Sequence, residues 1–346
     1  MLRYLTSGES HGKAILAILE GMPAGLKVDT KKINNELKRR QLGYGRGKRM
    51  QIEKDRVEII SGLKNSLTLA SPITLLIENR DYSIEKLPAV ICPRPGHADL
   101  AGLLKYGFTD IRNVLERASA RTTVATVAIG AVCKIFLNEF GISIFSKVLS
   151  IGGKATQREM QKKISEAIEN KDTVGGIFEV IAKGIPVGLG SYVQPDRRLD
   201  ARLAQNIMAI PGIKAVEIGL GFRYAEKFGS EVHDAIYYSK NKGYLRKTNN
   251  AGGIEGGISN GQDIKICACM KPISTLLKPL DSVNIKTKKI AKATVERSDI
   301  CVVSAAGVIA ESAAAFVLTD AFLEKFGCDC LKDIKINFKN YVKRIS

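Results

Sequence analysis

The chain has 346 residues, with 53 lysines and arginines against 35 aspartates and glutamates, a formal net charge of +18. Hydrophobic residues make up 45% and charged residues 25%, an ordinary globular composition that excludes a disordered or collagen-like chain. The length suits about two domains or one large one, and no linker rich in proline, serine or charge divides it, so one compact unit over residues 1–346 is expected.

The first run, Met1-Leu2-Arg3-Tyr4-Leu5-Thr6, reads as a strand and lacks the long apolar stretch of a secretory signal. Asp29 and Thr30 can cap a helix that passes through Ile33, Asn34 and Leu37 to Arg40. It ends in a basic segment, residues 39–49, with five cations around Gly43, Gly45 and Gly47. Strands are predicted at 57–60 and 73–77. A loop with two prolines follows, Cys92-Pro93-Arg94-Pro95-Gly96-His97. Residues 114–136 predict one long helix. Its alanines at 118, 120, 125, 128 and 131 permit close approach by another backbone or a ligand. Residues 156–170 have an amphipathic, solvent-facing helical pattern. A strand starts at 175–180, a helix covers 199–208, and a strand covers 216–218. Residues 249–261 form a glycine-rich loop before a strand at 264–270. The last large helix runs from about 302 to 322. The most apolar stretch, 300–318, carries Glu311 among alanines and serines, and reads as a buried helix rather than a membrane span.

An internal repeat is suggested by two pairs of landmarks. Glu116-Arg117 precedes Phe136-Leu137 and Phe140-Gly141; Glu296-Arg297 precedes Phe322-Leu323 and Phe326-Gly327. The spacings differ by six residues, and coincidence is the alternative. Seven cysteines with no CxxC point to reduced thiols in the cytoplasm and no metal site.

The positive charge calls for an anionic partner: nucleic acid, an acidic membrane or phosphorylated metabolites. Only three histidines are present. His11 lies in Ser7-Gly8-Glu9-Ser10-His11-Gly12 and His97 in Arg94-Pro95-Gly96-His97-Ala98-Asp99. Both sit in short loops with adjacent glycine, where a scaffold can hold a group that moves protons near neutral pH. A structural histidine is the alternative for each. His233, in Glu231-Val232-His233-Asp234, suits a surface role. The 39–49 segment can cradle phosphate or carboxylate, or be a solvated or RNA-contacting face; it does not fit the Walker A spacing. Arg117-Ala118-Ser119-Ala120-Arg121 could seat a phosphate or a flat ring, or its arginines could pair with Glu116 or Asp110. Lys271-Pro272-Ile273-Ser274-Thr275 offers one cation and two hydroxyls, which suits phosphate. Asp299 is a candidate base or a helix cap.

Five segments, in this order, resemble the signatures of the chorismate synthase family. They are Gly8-Glu9-Ser10-His11-Gly12, Arg94-Pro95-Gly96-His97-Ala98-Asp99, Glu116-Arg117-Ala118-Ser119-Ala120-Arg121, Gly252-Gly253-Ile254-Glu255-Gly256-Gly257-Ile258-Ser259-Asn260-Gly261 and Arg297-Ser298-Asp299. The resemblance covers nearly the whole chain. It implies an α/β (α+β) sandwich, with helices packed between antiparallel-rich sheets built from pseudo-repeated β-α-β units. It implies a homotetramer, and a lyase that removes phosphate from 5-enolpyruvylshikimate 3-phosphate by 1,4-anti elimination to give chorismate, the last step of the shikimate pathway. Reduced FMN is the implied cofactor, with NADPH a candidate reductant.

The resemblance also assigns residues. His97 matches the acid near the leaving phosphate. His11 matches the histidine near the flavin, and Asp299 the aspartate that works in proton removal. Ser10, Arg40, Arg46, Arg94 and Arg121 match substrate ligands, and Arg40 and Arg46 also match NADP contacts. Arg117, Ala118, Ser119, Pro211, Gly212, Gly256, Lys271, Pro272, Ile273, Ser274, Thr275 and Arg297 match the FMN site. Two departures stand out: Ser298 where some members have histidine, and Thr122 where glutamate is common. The other readings are a basic RNA-binding protein and an enzyme that only reduces FMN with NADPH. Low aromatic content, no tryptophan and no RNP, KH or zinc signature argue against the first, and no nucleic-acid or membrane partner is expected.

Overall fold

Alternation along the strands builds two half-buried sheets. In the first, β2 (Ala14–Glu20) buries Ile15, Ala17 and Leu19, and β4 (Ile73–Glu78) buries Ile73, Leu75 and Ile77. With β1 (Arg3–Ser7) and β3 (Val57–Ser61) they form an antiparallel sheet of order β1-β2-β4-β3. The second sheet has β5 (Ser143–Ile151), β6 (Gly176–Lys183), β7 (Ile213–Ile218) and β8 (Ile264–Met270), antiparallel in the order β5-β6-β8-β7. This computed structural model describes residues 2–47, 53–240, 243–296 and 298–345.

Helices fill the space between the sheets. Helix α1 (Thr30–Gln41) starts where the Asp29 side chain accepts from the Lys31 N–H, 2.9 Å away. It buries Ile33, Leu37 and Arg40. The long helix predicted for 114–136 is instead broken. Helix α2 (Asp99–Tyr106) precedes α3 (Arg112–Ala118); a single tight turn, Ala120–Thr122, separates α3 from α4 (Thr123–Asn138). The break falls at Ser119, whose extended backbone and side chain cap the next turn at Arg121 N–H. A serine's local hydrogen bond competes with helix continuation. Helix α5 (Gln157–Glu169) lies outside the second sheet, α6 (Leu199–Met208) between β6 and β7, α7 (Val303–Phe326) after β8, and α8 (Leu331–Ile345) ends the chain. Helices α1 and α4 pack on the first sheet, α6 and α7 on the second, and α4 against α7. The α+β sandwich expected from the resemblance is what the chain forms.

The two halves share one plan. Apart from α5, which is inserted between β5 and β6, and α2 and α3, which precede α4, each runs strand, strand, helix, strand, strand, then a long central helix, and each sheet has its fourth strand inserted between its second and third. Both halves shift register between the third and fourth strands, at Ile59/Ser61 and at Cys269/Met270. The repeated phenylalanines meet: ring centroids are 5.7 Å apart for Phe136 and Phe322 and 4.4 Å for Phe140 and Phe322. Helices α4 and α7 run parallel, with Gly130 against Ser312, Cys133 against Thr319 and Phe136 against Phe322. Their N-terminal ends therefore share one end of the helix layer. Most residues of the apolar stretch Arg112–Asn138 and of α7 are buried in the interior.

Strands β2 and β5 and helices α2 and α8 go beyond the predicted elements. The glycine-rich region 249–261 is not a loop throughout: Ile254–Glu255 pairs with Ile258–Ser259 as a short hairpin. All seven cysteines are free thiols; burial raises Cys133 to about 12 and Cys267 to about 11.

Candidate active site

At the shared N-terminal end of α4 and α7, the broken helix turns Arg121 inward. Its Nε donates to Asn79 Oδ1 (2.7 Å) and its Nη1 to Asp55 Oδ1 (2.5 Å). The other Asp55 oxygen accepts from Arg40 Nη2 at 2.9 Å. Asp55 has no exposed side-chain surface. Burial alone would raise its carboxyl, but the two guanidinium charges outweigh this and hold it below the ordinary range. Burial likewise pulls Arg40 below its usual value despite Asp55. Arg40 Nη1 reaches Thr123 Oγ1 (3.3 Å), while Arg40 Nε and Arg46 Nε are buried without a hydrogen-bond partner among the described residues. Unsatisfied buried donors cost about 1–3 kcal/mol each, and an incoming anion would satisfy them.

Asn79, just after β4, also fixes the loop carrying Ser10 and His11. Its Nδ2 donates to the carbonyls of Glu9 (3.1 Å) and Gly12 (2.7 Å). Glu116 completes the hold. Its carboxylate lies 2.9 Å from His11 Nδ1 and accepts the His11 backbone N–H at 2.7 Å, while its carbonyl accepts the Ser10 N–H. Burial raises the Glu116 carboxyl, and the His11 bonds more than reverse that. A carboxylate at Nδ1 requires the proton there, which sets the tautomer and leaves Nε2 as the basic ring nitrogen. Asp299 meets the same loop system from the other side: Oδ1 accepts the Gly47 N–H at 2.5 Å and Oδ2 lies 3.5 Å from Arg46 Nη1. It caps no helix: the N-cap of α7 is Val302, with no side-chain cap.

A second cluster gathers around Arg94. Asp99 accepts from Arg94 Nε (2.8 Å) and Nη2 (3.0 Å) and lies 2.5 Å from His97 Nδ1. Arg94 Nη1 donates to Thr275 Oγ1 (2.7 Å). Lys271 Nζ bonds the Gly96 carbonyl and Ser274 Oγ, and Ser274 also bonds Gly96. The run 271–275 and the His97 loop thus form one unit. Hydrogen bonds lead from it to the first cluster: Thr173 Oγ1 donates to the Ile273 carbonyl, Val174 N–H to the Ile300 carbonyl, and Ile300 N–H to the Gly45 carbonyl.

The residues matched to the FMN site divide. Pro211 and Arg117 line one cavity of about 190 Å³ with Tyr4, Thr6 and Thr123. Gly212, next to Pro211, accepts the Lys271 N–H at 3.0 Å, which joins this region to the 271–275 run. Arg117 pairs with neither Glu116 nor Asp110; it bonds Thr6 and the Gly8 carbonyl. Ala118 ends α3 and Ser119 caps the next turn. Gly256 lies in the turn of the Ile254–Ser259 hairpin and does not line this cavity. Its neighbour Gly257 accepts the Leu199 N–H at the start of α6. Arg297 lies outside the described residues, as do Lys48 and Arg49. The basic segment is not one cradle: Arg39 goes to Glu36 and Glu311, Arg40 to Asp55, and Arg46 to Asp299. At the two departures, Thr122 Oγ1 donates to the Ser119 carbonyl and Ser298 Oγ to the Asp299 carbonyl. His233 is exposed, as its sequence context suggests.

A two-sheet sandwich with parallel central helices carries buried arginines and a histidine–carboxylate pair at one end of the helix layer, groups suited to a small anionic ligand. The family model described as chorismate synthase matches residues 2–323. Among curated relatives, the chorismate synthase of Thermoanaerobacter pseudethanolicus is 55% identical, over 99% of this chain and 98% of its own. That of Aquifex aeolicus is 49% identical, over 99% and 98%. A solved structure titled "Crystal Structure of Chorismate Synthase" matches with a TM-score of 0.83 and 43% identity, covering 99% of this chain and 98% of the other. The chain belongs to the chorismate synthase family. Its activity is that of a lyase in the shikimate pathway.

Asp55, Asn79 and Glu53 were not anticipated. Lys54-Asp55-Arg56 looks like a solvated charge run, and Asn79 ends a plain strand. Glu53, also buried, accepts the N–H groups of Arg80 and Asp81. Glu116 and Asp99 were within the quoted motifs but had no role as histidine partners.

Proposed function

We propose that this chain converts 5-enolpyruvylshikimate 3-phosphate to chorismate and phosphate by 1,4-anti elimination, with reduced FMN as cofactor, working as one domain over residues 1–346. The observation that carries it is the linkage of Arg40 and Arg121 through Asp55, of Arg121 to the His11 loop through Asn79, and of Arg46 to Asp299, with the buried Nε groups of Arg40 and Arg46 lacking acceptors among the described residues. The substrate has two carboxylates and a phosphate, and arginines satisfy such groups in pairs. Arg94 and His97 serve the phosphate side. One C–O bond to phosphate and one C–H bond break, two electrons close a new double bond, and no net oxidation occurs. His97, its Nδ1 held by Asp99, has Nε2 for donating a proton to the departing phosphate. Asp299 is the carboxylate for the other end of the elimination.

The donor set also suits FMN: Lys271, Ser274 and Thr275 are what a phosphate or a ring carbonyl takes, with Pro211 and Gly212 alongside. When bound, reduced flavin supplies an electron-rich ring that assists loss of a poorly acidic proton. NADPH as its reductant, a homotetrameric assembly and a cytoplasmic setting belong to the same reading.

The test is anaerobic mixing of the protein with chemically reduced FMN and the phosphorylated substrate, following chorismate absorbance and phosphate release. Product that depends on reduced flavin is expected. No product from folded, flavin-bound protein would remove the roles given to His11, His97 and Asp299. NADPH oxidation with FMN but without substrate decides whether the chain reduces its own flavin.

A further inference from the structure

Glu311 stands in the middle of α7 with no exposed surface, among alanines and valines. Its carboxylate is fully engaged. Arg39 donates through both terminal nitrogens at 2.8 Å, Lys134 reaches it at 2.5 Å and Ser146 at 2.6 Å. Arg39 and Lys134 both also hold Glu36. These side chains come from α1, α4, α7 and β5, so the network crosses between the two halves.

A buried ion cluster is seldom a net source of stability; well-packed apolar groups often do as well or better. What a two-pronged arginine–carboxylate pair does supply is geometry. Here it fixes the rotation and height of α1 against α7. The next residue, about 100° around the helix, is Arg40. Beyond it, Leu42 N–H caps back to the Arg39 carbonyl, and Gly43 lies against Ser304. The Gly45 carbonyl accepts Ile300 N–H, and Arg46 and Gly47 reach Asp299. Every one of these contacts depends on where the end of α1 sits on α7.

We propose that Glu311 is a positioning residue of the active site: by gripping Arg39 it sets the register of α1 on α7, and so places Arg40 and Arg46 for the substrate's anionic groups. This rests on the substrate roles given to those two arginines above.

The test compares wild type with Glu311→Gln, Arg39→Met and Lys134→Met. Steady-state kinetics with 5-enolpyruvylshikimate 3-phosphate are measured beside thermal midpoints and amide hydrogen exchange of residues 40–47. Glu311→Gln and Arg39→Met should raise KM about tenfold, with kcat changed by less than about threefold. Exchange at the Leu42 and Gly47 N–H groups should quicken. Lys134→Met removes a partner of the same carboxylate but leaves the Arg39–Glu311 pair; it should lower the midpoint with KM within about twofold. An unchanged KM in Glu311→Gln, or an equal rise in Lys134→Met, would overturn the proposal and leave Glu311 as interior support. Should wild type itself fail to turn over, the proposed reaction fails; exchange then decides, and unaltered exchange in Glu311→Gln sinks the proposal on its own.

Discussion

Asp99 is wholly buried and takes four hydrogen bonds, three from Arg94 and one from His97. Burial by itself raises its carboxyl; the bonds from His97 and Arg94 outweigh that and hold it well below the usual carboxylate range. A carboxyl depressed on folding adds stability above its unfolded value, about pH 4, and that contribution is lost as pH falls toward the lowered value. Asp99→Asn should therefore be less stable than wild type at pH 7, with a gap that narrows between about pH 4 and 2. Urea midpoints across that range check this; a constant gap would show that the carboxyl is not depressed. The same variant leaves His97 without its orienting acceptor, and turnover should fall roughly 10²-fold. How far such a site could be read in advance differs by residue. His11, His97, Arg94, Arg121 and Asp299 announce themselves in short glycine- or arginine-marked segments. Asp55 does not, because its meaning comes from Arg40 and Arg121, 15 and 66 residues away. Glu311 was legible only as an oddity in an apolar run; its partners are set by packing.

At the scale of elements, the decisive contact is between α4 and α7. A Cβ built on Gly130 would lie 2.2 Å from Ser312 Cβ and 2.4 Å from its Cα, so the two helix backbones nearly touch. Gly130→Ala should force them apart, at a cost of about 1–3 kcal/mol, and lower the thermal midpoint by roughly 2–4 °C. Calorimetry measures it, and an unmoved midpoint would mean that the helix layer has slack. The separation should also reach Arg121 and Asp299, which lie just ahead of the two helices, and activity should fall with stability. Some elements were legible to the residue. Leu199, Leu203 and Ile207 recur at helical spacing, and α6 runs over 199–208 as predicted. Others needed the tertiary fold. The apolar run Ala14–Glu20 suits a buried helix or a strand, and only pairing with β1 and β4 decides. The break at Ser119 was hidden because the residues around it are good helix formers and the cap acts through one side chain.

For the whole molecule, the repeated plan raises the question of whether the halves are separate folding units. The contacts argue that they are not. Arg39 and Lys134 from the first half neutralise Glu311 in the second. Phe322 packs its ring on Phe136 and Phe140. The Leu2 N–H donates to Asp320, and the Thr319 hydroxyl reaches the Cys133 carbonyl. Each half alone would expose one face of its long central helix, including fully buried Phe136 or Phe322. Burying a phenylalanine is worth about 1.5–3 kcal/mol, so several such residues exceed what either half could forgo, given total stabilities of only about 5–15 kcal/mol. The two central helices should therefore open together. Native-state hydrogen exchange provides the measurement: the slowest amides of α4 and of α7 should report the same opening free energy and the same denaturant dependence, because both require global unfolding. If the α4 amides persisted after those of α7 had exchanged, the halves would be independent units. The proposed site, which draws Arg40 and Arg121 from one and Asp299 from the other, would then be lost before the first half unfolds.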